Sequence, residues 1–340
     1  MKAIVQAKYG SPDHLELREV EQPAIGADEV LVRVRAASLH PDVWHVVSGR
    51  PLVLRLMGAG LFKPRNPIPG TDMAGIVEAV GRNVTEFRPG DPVFGETIVT
   101  QQWVNGGAYA EYVAVHKALL ALKPANITFE QAASVPTSGF IALLNLRGLS
   151  QLRAGQKVLI NGAGGGVGAL ALQLTKAHGA HVTAVDHTNK LNMLRSLGAD
   201  EVIDYTREDF TRRPDRYHLI FDVPGNHPFS ACRRVLEPNG HYLLIGHERF
   251  GASGKRVFGL IPYFLGLMVL SRFVKQLRGP DLPLPTRKDA MAVLRALLEA
   301  GKITPIVDST FQMSDVRAAF QHMMKDETRG KVILTVAESA

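Results

Sequence analysis

A glycine-rich loop at residues 161–168 constrains the fold of this 340-residue chain more than any other feature. The apolar run Val158–Ile160 before the loop predicts a short buried strand. After the loop, apolar residues recur at the spacing of a helix, namely Val167, Leu170, Ala171 and Leu174. A strand, a tight glycine turn and a helix in this order predict the first crossover of a dinucleotide-binding fold, in which free N–H groups at the helix N-terminus bind a pyrophosphate.

The loop departs from a perfect Gly-x-Gly-x-x-Gly motif, because Ala163 stands at the first position. A flexible loop between unrelated elements would also contain glycines, so the loop alone is weak evidence. However, the next predicted strand ends at Asp186, near the place where a Rossmann fold puts the acid that binds the adenosine ribose. We therefore predict a cofactor site that includes Ala163, Gly164, Gly165, Gly166, Val167, Gly168 and Asp186.

Two patterns divide the chain into domains. Residues 1–125 are rich in predicted strands separated by proline and glycine turns, whereas strands and helices alternate from residue 158 to residue 246. Such alternation predicts a parallel, doubly wound sheet, and the tail is expected to fold back onto the first domain. The predicted fold class is α/β, with a first domain at 1–125 completed by 302–340 and a dinucleotide-binding domain at 126–301.

Capping residues predict two helix starts. The capping box Thr128-x-x-Gln131 predicts a helix that runs through Pro136 toward Leu146. Thr188 is predicted to cap the helix that follows the second strand of the alternating region.

The loops after the fourth and fifth strands of that region also belong to the predicted site. Ligands in open α/β sheets bind beyond the carboxyl ends of the strands. The two loops, Asp222–Gly225 and Ile245–Gly246, are therefore expected to flank the nicotinamide ribose, with Val223, Pro224, Ile245 and Gly246 as the site residues.

Composition excludes several classes of protein. The lone cysteine, Cys232, excludes a disulfide framework and any multi-cysteine zinc site. The net charge of +7 fits an anionic small ligand, but the basic residues lack the interleaved aromatic residues of a nucleic-acid interface. The apolar run Val257–Leu270 is too short to span a bilayer, and the N-terminus has no signal-peptide core. A cytoplasmic protein without integral membrane association is expected.

The segment 249–280 is not explained by a Rossmann plan. It holds six basic residues and no acid, and its apolar residues are too dense for a surface helix with one apolar face. These apolar residues could be removed from water within the fold, in a subunit interface, in a substrate pocket or at a membrane surface. We expect burial in a homodimer or against the first domain, and we expect the segment to wall the acceptor pocket as well.

The chain resembles the medium-chain dehydrogenase/reductases nearly end to end, in their zinc-free, quinone oxidoreductase-like branch. The motifs that support the resemblance are PGTDMAGIV at 69–77, PGDPVFG at 89–95, GAYAEY at 107–112 and LGADEVIDY at 197–205, together with the glycine loop. The resemblance implies a GroES-like first domain, a Rossmann second domain and an active site in the cleft between them.

The resemblance also implies that catalytic zinc is absent. Zinc-dependent relatives have a cysteine before the first helix and a His-Glu pair after a Pro-Gly turn, where this chain has Leu39 and Thr71-Asp72. Catalytic zinc needs about three protein ligands. We therefore expect no zinc, although a rearranged site would escape this comparison.

Further site residues follow from the resemblance. Thr137 lies where relatives contact the nicotinamide, although a hydroxyl bonded to a helix carbonyl at a kink would explain it equally well. Lys190 and Tyr205 match positions that contact the 2′-phosphate of NADPH, whereas Asp186 favours NAD. We predict NADPH as the cofactor, with NADH used as well.

His40 is the candidate catalytic residue. Relatives usually have Asn-Pro-x-Asp-Trp here, and this chain has His-Pro-Asp-Val-Trp at 40–44. An imidazole at this place would deliver a proton to the reduced substrate or hydrogen-bond the nicotinamide ribose. The alternative is a histidine that only starts the helix.

These residues predict a reductase of small apolar quinones or enones. Without zinc, no Lewis acid polarises a carbonyl, and a conjugated acceptor spreads the incoming charge over its own π-system. Two alternatives stay open: an NAD(P)-dependent alcohol or aldehyde oxidoreductase, and a non-catalytic nucleotide-binding protein at a membrane surface.

Overall fold

The computed structural model describes residues 1–98, 104–148, 153–246, 257–279, 282–325 and 327–336. The chain forms two compact units: Met1–Phe140, Thr286–Gly301 and Pro305–Ala340 make up the first, and Ile141–Pro285 with Lys302–Thr304 the second. The predicted domain bounds, 1–125 with 302–340 and 126–301, stay a prediction.

In chain order the strands are β1 (Lys2–Gln6), β2 (Leu15–Glu19), β3 (Glu29–Ser38), β4 (Asp72–Val80), β5 (Pro92–Glu96), β6 (Tyr112–His116), β7 (Leu120–Leu122), β8 (Lys157–Asn161), β9 (His181–Asp186), β10 (Glu201–Asp204), β11 (Tyr217–Asp222), β12 (Leu236–Leu244), β13 (Val307–Gln312) and β14 (Lys331–Thr335). The helices are α1 (Pro41–Ser48), α2 (Phe129–Ala133), α3 (Pro136–Asn145), α4 (Gly166–Ala177), α5 (Leu191–Ser196), α6 (Phe229–Arg234), α7 (Ile261–Leu270), α8 (Arg287–Glu299) and α9 (Val316–Met323).

Strand β3 is the centre of the first unit. Its first half pairs antiparallel with β6, its second half with β14, and its other edge with β4. Val32 and Val34 are buried on either side of exposed Arg33, which is the alternation that a half-buried strand requires. Because β14 pairs with β3, the C-terminal tail folds back onto this unit, as predicted.

The helix predicted from Thr128 to Leu146 is two helices in the structure. The capping box at Thr128 is present and opens α2, but α2 ends at Ala133 and α3 begins at Pro136. Proline lacks the N–H that a helix interior needs and disfavours the helical conformation of the residue before it. Pro136 therefore starts a helix here and does not continue one.

The second unit contains a parallel sheet in the order β10-β9-β8-β11-β12. Helix α4 follows β8 directly after the glycine loop, so the strand–loop–helix prediction is confirmed. The buried core of this unit joins residues of several strands with α6, including Leu159, Val185, Ile220, Phe229 and Tyr242. The predicted α/β fold class, with an antiparallel β unit and a parallel-sheet unit, is confirmed.

The cap of the helix after β9 differs from the prediction. A 3-10 turn at Thr188–Lys190 precedes α5, and His187 caps this turn by accepting a hydrogen bond from Asn189 N–H. Helix α5 itself begins after Lys190 without a side-chain cap. The Thr188 hydroxyl bonds the Asp204 carboxylate across the strand ends. Both are polar side chains at the end of one strand, so the spacing alone could not distinguish them.

The expected burial of the 249–280 segment in a homodimer or against the first domain stays a prediction, whereas burial of α7 within its own unit is excluded. None of the residues of α7 is buried. One side contacts the unit's core through Leu267, and the Tyr263 hydroxyl accepts a hydrogen bond from Phe229 N–H at 2.8 Å. The other side is exposed. Residues 249–256 of the segment lie outside the described residues.

The reactivity of the Cys232 thiol is a test of how the core of the second unit packs. It is fully buried on α6, and burial, assisted by the nearby Asp222 carboxylate, raises its pKa to about 12. We expect almost no reaction with a thiol reagent at about pH 8, near the ordinary thiol pKa of about 8.5. In denaturant, one thiol per chain should react, and Cys232→Ala should abolish that signal. Rapid stoichiometric labelling of the native protein would contradict this packing.

Candidate functional site

The phosphate loop, residues 161–168, is anchored to the end of β9. The N–H groups of Gly162 and Ala163 both donate to the Val185 carbonyl, at 3.0 and 3.1 Å. A Cβ on Gly168 would lie 2.1 Å from the Gly162 carbonyl oxygen, so only glycine allows helix α4 to pack this closely. A Cβ on Gly165 would meet nothing nearer than 3.8 Å, so the space beside this residue is open.

The N-terminus of α4 opens at this loop without a side-chain cap. Gly165 is the N-cap residue and supplies no side-chain hydrogen bond. The first N–H groups of α4 therefore depend on another acceptor. Free donors, a positive dipole end and open space beside Gly165 fit the pyrophosphate of a dinucleotide.

Asp186 ends β9 and is buried against the phosphate loop. One carboxylate oxygen accepts the Gly164 N–H at 2.6 Å, and the other accepts the His187 N–H at 2.8 Å. Lys190 Nζ lies 3.1 Å from the second oxygen, and both side chains are almost fully buried. A Cβ on Gly164 would lie 2.5 Å from Lys190 Cδ, so this side of the loop is closed by the ion pair.

Tyr205 joins the same edge of the sheet. Its N–H donates to the Asp186 carbonyl at 3.2 Å, and its half-exposed ring contacts the edge of the His187 ring at 5.9 Å between centroids. The structure therefore brings together Gly164, Asp186, Lys190 and Tyr205, which were predicted from separate motifs.

The two predicted strand-end loops lie beside the phosphate loop. A Cβ on Gly162 would meet Pro224 at 2.9 Å and Val223 at 3.2 Å. The Gly246 N–H donates to the Val223 carbonyl at 2.9 Å, and the Ile245 N–H donates to the Asp222 carbonyl at the same distance. These four residues therefore share one edge of the sheet with the phosphate loop.

Asp222, the first residue of the predicted loop after the fourth strand, is a buried member of this edge. It accepts hydrogen bonds from Asn161 Nδ2 at 2.9 Å, Gly225 N–H at 3.0 Å and the Tyr242 hydroxyl at 2.7 Å. Burial raises the pKa of the Asp222 carboxyl, and these donors oppose that shift. Asp222 thus fixes the loops after two adjacent strands. In the sequence, the mostly apolar strands β8, β9 and β11 each end in a polar residue, namely Asn161, Asp186 and Asp222.

Asp72, at the start of β4 in the first unit, is another fully buried carboxylate. One of its oxygens accepts Thr137 N–H at 3.2 Å and also the Thr137 hydroxyl. The other accepts the Ser38 hydroxyl at 3.1 Å. The Thr137 hydroxyl is therefore bonded to Asp72, and not to a carbonyl of its own helix. Its predicted contact with the nicotinamide stays a prediction.

Lys331 completes this group, which we call the Asp72 cluster: Ser38, Leu39, Asp72, Thr137 and Lys331. Lys331 Nζ lies 3.5 Å from the Asp72 carboxylate and donates to the Leu39 carbonyl at 3.1 Å. Burial lowers the pKa of Lys331, and the charges of Asp72 and then Asp42 oppose the shift. The sequence interpretation missed Lys331, because a lysine at the start of a short strand is usually exposed.

His40 is the N-cap residue of α1 and is buried. Its Nδ1 accepts the Asp42 N–H at 3.2 Å and lies 3.3 Å from the Asp42 carboxylate. His45, in the last turn of α1, is also buried, and burial lowers its pKa although Asp42 opposes the shift. The helix-start role considered for His40 is therefore observed, and a catalytic role stays a prediction.

Among the residues described here, no three His, Cys, Asp or Glu side chains are placed to hold a metal ion together. Within those ranges, no helix is long and apolar enough to cross a membrane.

Comparison with known proteins places the chain in a family. Residues 26–125 match the alcohol dehydrogenase GroES-like domain, and residues 197–334 match the zinc-binding dehydrogenase domain. The chain is 34% identical to an NADPH-dependent alkenal/one oxidoreductase from Arabidopsis thaliana and 33% identical to a 2-methylene-furan-3-one reductase from Solanum lycopersicum. Each alignment covers 98% of this chain and 79% of the relative.

A solved structure gives the same assignment. The quinone oxidoreductase of Escherichia coli complexed with NADPH matches with a TM-score of 0.79 and 25% identity, over 98% of this chain and all of that chain (100%). The Rossmann-type sheet order and the phosphate loop described above agree with these matches. The chain therefore belongs to the medium-chain dehydrogenase/reductase superfamily and is an oxidoreductase with a nicotinamide cofactor.

Proposed function

We propose that the protein reduces quinones or α,β-unsaturated carbonyl compounds with NADPH, accepts NADH as well, and works without zinc. The observation that supports this most is the Asp72 cluster. The buried Lys331 side chain contacts both Leu39, which stands where zinc-dependent relatives have a cysteine, and Asp72, which belongs to the pair that replaces their His-Glu pair.

The cluster is unsuited to a divalent cation. Hydroxyl, amide and ammonium donors already engage the Asp72 carboxylate, and a metal ion beside it would be repelled by Lys331. The thiolate and imidazole that zinc prefers are replaced by Leu39 and Thr71. A carbonyl substrate would then lack a Lewis acid, so acceptors that delocalise the incoming charge are favoured. The names of the relatives, which act on alkenals, a methylene-furanone and quinones, support the same substrate class.

The cofactor supplies the hydride, and the chain's own residues bind and orient it. The phosphate loop and the first N–H groups of α4 would hold the pyrophosphate. Asp186 is neutralised by Lys190 and engaged by the Gly164 N–H, so it would repel a 2′-phosphate less than a free acid. Lys190 and Tyr205 would contact that phosphate, which favours NADPH over NADH.

Location and assembly stay predictions. The cytoplasmic location and the homodimer were expected from sequence, and the relative from Arabidopsis thaliana is named as chloroplastic. No specific contact favours alcohol oxidation or a non-catalytic role over the proposed reduction. Loss of NADPH absorbance with a quinone or an enone, compared with NAD reduction by simple alcohols, distinguishes these functions directly.

The proposal predicts a protein without stoichiometric zinc. Elemental analysis of protein purified without chelator should find far less than one zinc per chain, and activity should survive treatment with a chelator. The reason is the charge and the hydrogen bonding of the Asp72 cluster. One zinc per chain, with activity lost when it is stripped, would refute the zinc-free mechanism.

Lys190→Ala tests the cofactor assignment. We expect KM for NADPH to rise roughly tenfold or more, because a hydrogen bond to a charged group contributes about 1.5–3 kcal/mol. KM for NADH should change much less. Lys176→Ala is the matched control, since it removes a solvent-accessible ion pair to Asp200 in the same unit.

A double variant separates the two partners of the Asp186–Lys190 pair. Asp186→Asn added to Lys190→Ala should recover part of the NADPH affinity, because it removes the acid that Lys190 neutralised. Equal effects of Lys190→Ala on both cofactors, with an unchanged thermal midpoint, would contradict the assignment of Lys190 to the 2′-phosphate.

His40→Asn and His40→Ala separate helix capping from proton delivery. Asparagine caps helices well, whereas loss of a cap costs about 1 kcal/mol of stability. We expect His40→Asn to keep clear activity and a near-native thermal midpoint, and His40→Ala to lose stability. General acid catalysis contributes about 10²–10⁴-fold. A loss of that size in both variants, with His40→Asn fully folded, would show that the imidazole is essential.

A further inference from the structure

The exposed side of α7 and its continuation to Gly279 form an apolar surface without acidic residues, which we call the α7 surface. Its most exposed side chains are Met268 at 62% and Phe273 at 80%, accompanied by Phe258, Leu265 and Val269. A soluble monomer rarely exposes so many large apolar side chains in one short stretch. The inward side of α7 contacts the protein itself: Leu267 packs against the core of the second unit, and the Tyr263 hydroxyl accepts a hydrogen bond.

Within the described segment 257–279, every charged residue is a cation. Arg272, Lys275 and Arg278 follow α7 and are exposed. Arg249, Lys255 and Arg256 precede it in the sequence, and residues 249–280 contain no aspartate or glutamate. Apolar side chains flanked only by cations are typical of segments that lie in the interface of an anionic membrane.

A second segment, in the first unit, repeats this combination independently. Leu56 is 75% exposed and Phe62 is 85% exposed, next to exposed Leu61. Arg50, Lys63 and Arg65 are exposed around them. Residues 43–71 contain no acidic residue. The same chemistry therefore occurs twice in the described chain, far apart in sequence.

We propose that the protein docks on anionic lipid bilayers through the α7 surface. Helix α7 is about 15 Å long, so it lies in the interface and does not span the bilayer. The apolar side chains enter the boundary between headgroups and acyl chains, and the cations contact the lipid phosphates. The ligand is the bilayer surface itself, and the docking does not depend on catalysis.

A second copy of the chain fits the α7 surface less well. A two-fold interface presents the same patch to itself, so a patch with only cations meets no opposite charge there. An anionic bilayer supplies both the apolar layer and the negative charge that this surface lacks.

The experiment is sedimentation of the full chain with vesicles. We expect binding to vesicles of phosphatidylcholine mixed with phosphatidylglycerol at low salt, little binding to phosphatidylcholine alone, and release at high salt because surface charges are screened. The double variant Met268→Asp/Phe273→Asp should lower the partition coefficient roughly tenfold or more, since each apolar side chain loses its burial.

Matched controls separate this surface from a general effect of charge. Val293→Asp changes an exposed apolar residue of α8, and it should leave binding unchanged. The double variant Arg272→Gln/Lys275→Gln should weaken binding to anionic vesicles. The control double variant Arg207→Gln/Arg216→Gln removes two exposed cations that lie next to acidic residues, and it should leave binding unchanged. Thermal midpoints and NADPH affinity should match the unchanged chain in every variant.

Three results would overturn the proposal. The first is equal binding to neutral and anionic vesicles. The second is binding that the α7 variants do not alter. The third is a dimer that becomes monomeric in Met268→Asp/Phe273→Asp on analytical ultracentrifugation, because the surface would then be an interface between copies of the chain.

Discussion

The buried ion pair between Lys331 and Asp72 is the contact on which the first unit depends. It joins the first residue of β14 to the first residue of β4, and Thr137 on α3 donates to the same carboxylate. Removing one partner of such a pair leaves an uncompensated buried charge, which typically costs about 3–5 kcal/mol. One carboxylate thus links the C-terminal strand and Thr137 to the start of β4.

The second unit depends on buried carboxylates in a similar way. Asp186 holds the phosphate loop through the Gly164 N–H, and Asp222 holds the loops that follow β8 and β11. The two differ in how their charge is compensated. Asp186 has a cation, Lys190, whereas Asp222 has only neutral donors, and burial raises its pKa. Neutral donors fix geometry without adding a positive charge beside the loops expected to flank the nicotinamide ribose.

Local sequence predicted the parts of the fold that local physics decides. The glycine loop, the capping box at Thr128 and the alternation of strands and helices depend on neighbouring residues, and all three are present. Lys331 and Asp72 lie far apart in the sequence, so their pairing depends on the register of β14 against β3, which no local pattern encodes. The break at Pro136 was readable, because a proline inside a predicted helix ends or kinks it. The helix interpretation gave too much weight to the apolar residues that follow.

The sequence pattern of helix α7 predicts more burial than the structure shows. Its apolar residues surround the whole helix, a composition that normally predicts burial on every side. In the structure, only the side with Tyr263 and Leu267 contacts the protein. Phe264 and Leu260 approach Gly246, beside the loop expected to flank the nicotinamide ribose. One short helix therefore has an inner side that closes the edge of the cofactor unit and an outer side whose apolar surface no described residue covers. An exposed apolar surface of this kind is typical of an interaction site, which agrees with the docking proposed for the outer side of α7.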